Sequence, residues 1–215
     1  MIEAPTRYQF TDCVTSEGEL RALLGEPREL VIKKQLPALD RHCRAFIALS
    51  PFVLLGTANA NGQCDVSPRG DAPGFVLVLD DRTLVVPDRP GNRRIDSLRN
   101  IITHDGVGLL FMIPGVEETL RINGRARIVR DAEILTRLAA QGKTPELAIA
   151  VAIEEAFLQC AKALKRSRLW DAATWPERAT LPTLAQILYD QVPMPDMTVE
   201  ALDAAFEQGY RERLY

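Results

Sequence analysis

The chain has 215 residues, of which 47% are hydrophobic and 26% charged, and a formal net charge of −3. That balance suits a soluble globular chain with a real core and excludes a general polyanion-binding surface, so any anion recognition must be local. No apolar run approaches the roughly 20 residues that span a bilayer, and MIEAPTRYQF lacks the basic start and apolar middle of a signal peptide.

A cytoplasmic location is therefore expected, with neither membrane nor nucleic acid as a partner. Cys13, Cys43, Cys64 and Cys160 are scattered, with no CxxC spacing. With only His42 and His104 beside them, no metal site is expected, and the thiols read as free in a reducing compartment.

TSEGELRALLG (15–25) predicts a helix with Ser16 and Glu19 as a capping box and Gly25 as the stop. PALDRHCRAFIALS (37–50) predicts a second, turning Leu39, Cys43, Phe46, Ile47 and Leu49 to a core and leaving His42 as a surface or structural residue. From Phe52 the period becomes two. FVLLGTAN and QCDVSP read as a hairpin turning at Asn61-Gly62 in a type I′ turn, and GFVLVLD and TLVVP as a second. GVGLLFMI and ETLRINGRARIV make the last pair, with a bulge expected at Gly124. The tail, DAEILTRLAAQG (131–142), PELAIAVAIEEAFLQCAKALKRS (145–167), TLAQILYDQ and TVEALDAAFEQGYRERL, reads as helices. The expectation is one mainly β domain with flanking helices over 1–215: a six-stranded antiparallel barrel at about 50–130 with helical additions at both ends.

One stretch breaks a rule. LVVPDRPGNRRIDSLRNII (84–102) reads as a strand leading into a helix capped by Asn92, whose first turn carries Arg93 and Arg94, with Arg89 just upstream. A helix N-terminus already presents unpaired N–H groups and partial positive charge, so cations there are unfavourable. Pairing with Asp88 or Asp96 is one explanation. A bound phosphate is the other and the favoured one, because guanidinium forks and backbone N–H groups would converge on a dianion. DVSPRGDAPGF (65–75), interrupted by prolines and glycines, reads either as a break where backbone approaches a ligand, with Arg69 and Asp71 projecting, or as a loop with an Arg–Asp pair. No Walker A and no GxGxxG is present.

Together, GTANANGQCDVSPRGDAPGF, LVVPDRPGNRRIDSLRNI and VGLLFMIPGVEETLRINGRARI, over about 50–130, resemble the pyridoxamine 5′-phosphate oxidase-like flavoproteins. The likeness is greatest to the branch of FMN-dependent enzymes without an assigned substrate. The resemblance implies an FMN-binding split barrel. It implies the FMN phosphate on Arg93 and Arg94, next to Asn92. It implies a flavin-lining strand end at Val86, Pro87, Asp88 and Arg89, and a second strand at Arg69, Gly70 and Asp71. Thr119 would face the flavin from the opposite strand, with Arg121 nearby. CAKALKRSRLW (160–170) adds Lys165, Arg166 and Trp170; helix-end charge alone also explains the cations, and Trp170 either stacks on a ligand ring or closes the core.

The resemblance further implies a homodimer with a flavin at the subunit interface and an oxidoreductase acting on a small-molecule substrate; no catalytic residue is assigned. The apolar strands GVGLLFMI and GFVLVLD would supply that interface or be buried within one barrel. A non-catalytic flavin- or haem-binding module and a deazaflavin (F420)-dependent reductase are the alternatives. Pyridoxamine phosphate oxidases proper end in a strand whose Arg and His grip the substrate phosphate; no such pair is recognisable here, so oxidation of that substrate is not expected.

Overall fold

The structure is a computed structural model that describes residues 9–215. It divides into two compact units, one ending at Gln35 and the other spanning Leu36–Tyr215. In the first unit, α1 (Glu17–Leu24) starts where Ser16 accepts from the Glu19 amide at 3.2 Å and stops at Gly25, whose φ is 74°. Glu19 reaches back one residue past the cap, accepting from the Thr15 amide at 3.0 Å and not from that of Ser16, so the expected box is present in its Ser16 half only. A short α2 (Glu29–Lys33) follows, which the sequence reading did not contain.

The second unit opens with α3 (Arg41–Leu49), capped by Asp40, which accepts from the Cys43 amide at 2.8 Å. Leu39, Cys43 and Ile47 are buried as expected, but Leu49 is exposed. Seven strands then form one antiparallel sheet: β1 (Phe52–Ala58), β2 (Cys64–Gly70), β3 (Leu77–Val78), β4 (Thr83–Pro87), β5 (Gly106–Met112), β6 (Thr119–Val129) and β7 (Ala148–Gln159). Their order is β2-β1-β5-β6-β7-β4-β3. Side chains from β1, β4, β5, β6 and β7 meet in one core, although three strands stand between β1 and β4 in that order. The sheet therefore curls around its core while β2 and β3 remain unjoined edges, which makes it a split barrel.

The strand count corrects the expectation of six. The seventh is AIAVAIEEAFLQ, whose broad apolar face predicts a helix from sequence and which is a strand in the structure. Its Ile149, Val151 and Ile153 are buried at alternate positions, and its partner strand β6 decides the conformation. The bulge expected in β6 is present: the register shifts between Asn123 and Gly124, where a Cβ on Gly124 would lie 2.1 Å from the Ala152 carbonyl oxygen. The β1–β2 turn is not type I′, since Gly62 has positive φ and Asn61 does not. Asn59 shapes that turn instead, accepting from the amides of Asn61 and Gln63.

Between β4 and β5 lies α4 (Asp96–Thr103), which packs against β1, β2 and β6. After β6, α5 (Ala132–Arg137) covers the outer side of β4 and β7 through Leu135 and Leu138, so Leu84, Val85 and Val86 are all buried. The chain finishes with α6 (Lys162–Ser167), α7 (Leu184–Gln191) and α8 (Val199–Glu212). No helix of the described residues is long and apolar enough to cross a membrane.

Candidate functional site

β2 does not break at its proline. Pro68 pairs with Leu54 and the ladder runs on to Gly70, which an edge strand allows because its outer N–H groups need no partner. Its alternation turns Asp65, Ser67 and Arg69 to the same face as Val53, Leu55 and Thr57 of β1. Arg69 Nη1 reaches Asp88 Oδ1 at 2.5 Å, just past the end of β4. Arg89 Nε reaches Asp71 Oδ2 at 2.7 Å. Two reciprocal acid–base pairs thus link an edge strand to a strand near the opposite edge. Three of the four side chains keep 16–25% of their surface, and Asp71 keeps 3%.

Burial alone would raise the Asp71 carboxyl. Hydrogen bonds from the Tyr215 hydroxyl, the Ala72 amide and Arg89 outweigh that and hold it below its ordinary 3.8. Tyr215, beyond α8, lies 144 residues away in sequence and donates to Asp71 Oδ1 at 2.6 Å.

The loop after β4 differs from the expectation. The helix begins at Asp96, not at Arg93, and carries an acid in its first turn. Asn92 closes an Asx-type turn, accepting from the Arg94 amide at 3.0 Å, and does not cap the helix. Arg94 Nε pairs with Asp96 at 2.8 Å. The helix-dipole conflict is therefore absent. In its place is backbone strain: Arg93 (φ 59°) and Ile95 (φ 55°) are both left-handed, which costs a non-glycine residue about 1–2 kcal/mol each. The Arg93 side chain is exposed and has no hydrogen bond or ion pair among the described residues. Ser97 Oγ donates to Asp65 at 2.5 Å and Asn100 to Thr57 at 2.9 Å, tying α4 to β2 and β1.

Thr119 and Arg121 lie elsewhere. By register they share the opposite face of the sheet with Phe157 and Gln159. Thr119 is buried and donates to Gln159 at 3.2 Å. Arg121 stacks its guanidinium carbon 4.5 Å from the centre of the Phe157 ring and stands 3.5 Å from Glu155. Near this face Lys165 pairs with Glu117, which raises its ammonium pKa, and the Trp170 indole donates to the Val116 carbonyl at 2.9 Å. Arg166 is exposed.

The structure thus brings together Arg69, Gly70, Asp71, Asp88 and Arg89, and Asn92, Arg93 and Arg94 follow in the loop that leaves Arg89. Thr119 and Arg121 lie on the other face, and Lys165 and Trp170 contact Glu117 and Val116 in the turn that leads into their strand. Val86 and Pro87 are buried, Val86 within the core. Sequence reasoning missed Tyr215, Ser97 and Glu117; the reciprocal charges of Arg69–Asp71 and Asp88–Arg89 were the readable signal, and Tyr215 gave none.

Two donors fit an absent acceptor: the Nε atoms of Arg69 and Arg121 are buried without a hydrogen-bond partner. Donors of this kind in both groups fit a ligand rich in oxygen and nitrogen acceptors. Among the described residues, no cluster of His, Cys, Asp and Glu could hold a metal ion.

The sequence model of pyridoxamine 5′-phosphate oxidase matches residues 39–160, from the approach to α3 through β7. Among curated proteins, none matches the sequence. Similar solved structures include HupZ of group A Streptococcus, at 18% identity over 56% of this chain and 93% of that one, with a TM-score of 0.46. An FMN-binding protein of Syntrophomonas wolfei matches at 12% identity over 54% and 83%, with a TM-score of 0.44. HutZ, the heme storage protein of Vibrio cholerae, matches at 18% identity over 56% and 93%, with a TM-score of 0.40.

Proposed function

Because the chain belongs to the pyridoxamine 5′-phosphate oxidase family, we propose that it is an FMN-binding oxidoreductase acting on a small-molecule substrate as a cytoplasmic homodimer. The observation that carries the reading is the turn at Arg93. Two non-glycine residues there hold left-handed backbone, and Arg93, exposed and without a hydrogen bond or ion pair among the described residues, follows by four residues the Arg89 that pairs with Asp71. Strain of that kind persists where function repays it. A phosphate dianion on Arg93 and Arg94 is the natural complement, since a charge-assisted bidentate contact is about twice as strong as a neutral one.

The division of the donors between two sheet faces supports the dimer. Thr119 and Arg121 cannot reach a ligand held at Arg93 of the same chain if the sheet stands between them. A two-fold partner would bring its own Thr119 and Arg121 to that ligand. Phe52, Leu54, Leu110 and Met112 lie on this face and are only half-buried, which suits an interface. The four free thiols suit a reducing interior. When bound, FMN supplies the hydride and electron chemistry, and the residues named here bind and orient it.

The visible spectrum of the purified protein tests the reading. Flavin bands that bleach with an anaerobic reductant and recover with an acceptor are expected. Flavin that no physiological donor reduces would make it a carrier, and a Soret band or tight F420 binding without FMN would replace the cofactor.

A further inference from the structure

Tyr215 lies far from every sequence signal, yet its phenol is seated on the arginine cluster. The hydroxyl donates to Asp71 Oδ1 at 2.6 Å while Arg89 Nε donates to Asp71 Oδ2 at 2.7 Å. The Arg89 guanidinium carbon stands 5.6 Å from the centre of the Tyr215 ring, within cation–π range. Lys143, between α5 and β7, donates to the Tyr215 main-chain oxygen at 2.6 Å and holds the segment in place. Asp71 is 3% exposed and also accepts from the Ala72 amide, so its oxygens are committed. Arg89 thus uses Nε on the protein, while neither Nη has a hydrogen bond among the described residues, although the side chain is only 16% exposed. A guanidinium fixed in this way presents its outer edge as a two-donor fork.

We propose that Tyr215 is a positioning residue of the cofactor site: through Asp71 it fixes Arg89 so that both Nη groups face a pair of oxygen acceptors on the bound cofactor. This rests on the FMN reading above. An arginine side chain has a large rotamer entropy, and holding it beforehand removes that cost from binding. The acceptors belong either to the phosphate or to the carbonyl edge of the flavin ring, and riboflavin distinguishes the two.

The test uses the full chain in four forms: wild type, Tyr215→Phe, Arg89→Lys and the double variant. The first readout, without cofactor, is solvent exchange of the Arg89 Nε–H by NMR; Tyr215→Phe should accelerate it. The second is titration with FMN and with riboflavin. Tyr215→Phe should weaken FMN about two- to tenfold, the equivalent of one side chain left to be ordered on binding. The same change should have no further effect in Arg89→Lys, which a general structural role would not reproduce. Equal weakening of riboflavin assigns the fork to the ring, and weakening of FMN alone assigns it to the phosphate. Unchanged exchange in Tyr215→Phe, unchanged FMN affinity, or additive losses in the double variant each overturn the proposal. A wild type that binds no FMN overturns the cofactor reading and the ligand end of this inference with it, while the exchange result still judges the Tyr215–Asp71–Arg89 lock.

Discussion

Arg69 Nη1 stands 2.5 Å from Asp88 Oδ1, and that contact joins an edge strand of the split barrel to a strand near its opposite edge. No backbone ladder makes this connection, so side-chain charge closes what hydrogen bonding leaves open. The pair is mostly buried, and removing one partner strands the other.

Arg69→Ala should therefore lower the unfolding free energy in urea by about 1–3 kcal/mol, the cost of an unsatisfied buried polar group. Asp88→Ala should do the same, and the double variant should lose less than the sum. Strict additivity would mean the pair contributes nothing to closure.

Gly124 marks the bulge that lets β6 follow β7 around the barrel. Gly124→Ala would force a Cβ against the Ala152 carbonyl, a backbone atom that cannot swing aside. A loss of about 1–3 kcal/mol is expected, the range for overpacking a tight core. A wild-type melting curve would show that the bulge relaxes freely.

Cys43 is buried while Cys13, Cys64 and Cys160 are exposed. Burial, reinforced by a hydrogen bond to the Asp40 side chain, pushes the Cys43 thiol up to about 11 from its ordinary 9.0. At pH 8 a thiol reagent should modify three cysteines quickly and the fourth only on unfolding. Because the folded thiol keeps its proton where the unfolded one ionises, stability should begin to fall as the pH rises past about 9. Rapid native labelling of all four would contradict this burial.

Much of the fold was legible in the sequence. Alternation at 52–58, 106–112 and 119–129 and the glycine at 124 gave β1, β5, β6 and the bulge. Residues 148–159 were not legible as a strand, because the alanines at 150 and 152 put apolar residues on the less buried face as well, which hides the alternation in the sequence and lets the run read equally as a helix. In the site, a concentration of arginines between 69 and 94 was visible, but its reason was different. Local charge rules placed Arg93 on a helix end, whereas the left-handed turns at Arg93 and Ile95 start the helix two residues past Arg94. Tyr215 could not be read, because only the folded chain brings residues 71 and 215 together.

The most direct test of the account is the affinity of Arg93→Gly for FMN and for riboflavin, with the melting temperature of the cofactor-free protein alongside. Glycine accepts the left-handed backbone at Arg93 without strain, so the cofactor-free variant should be more stable by about 0.5–1 kcal/mol. It should bind FMN about ten- to a hundredfold more weakly, the loss of one charge-assisted contact of about 1.5–3 kcal/mol, while its affinity for riboflavin stays that of wild type. A variant that binds FMN as tightly as wild type does would contradict the account, since the phosphate would then rest on other residues and the strained turn would have no ligand to serve.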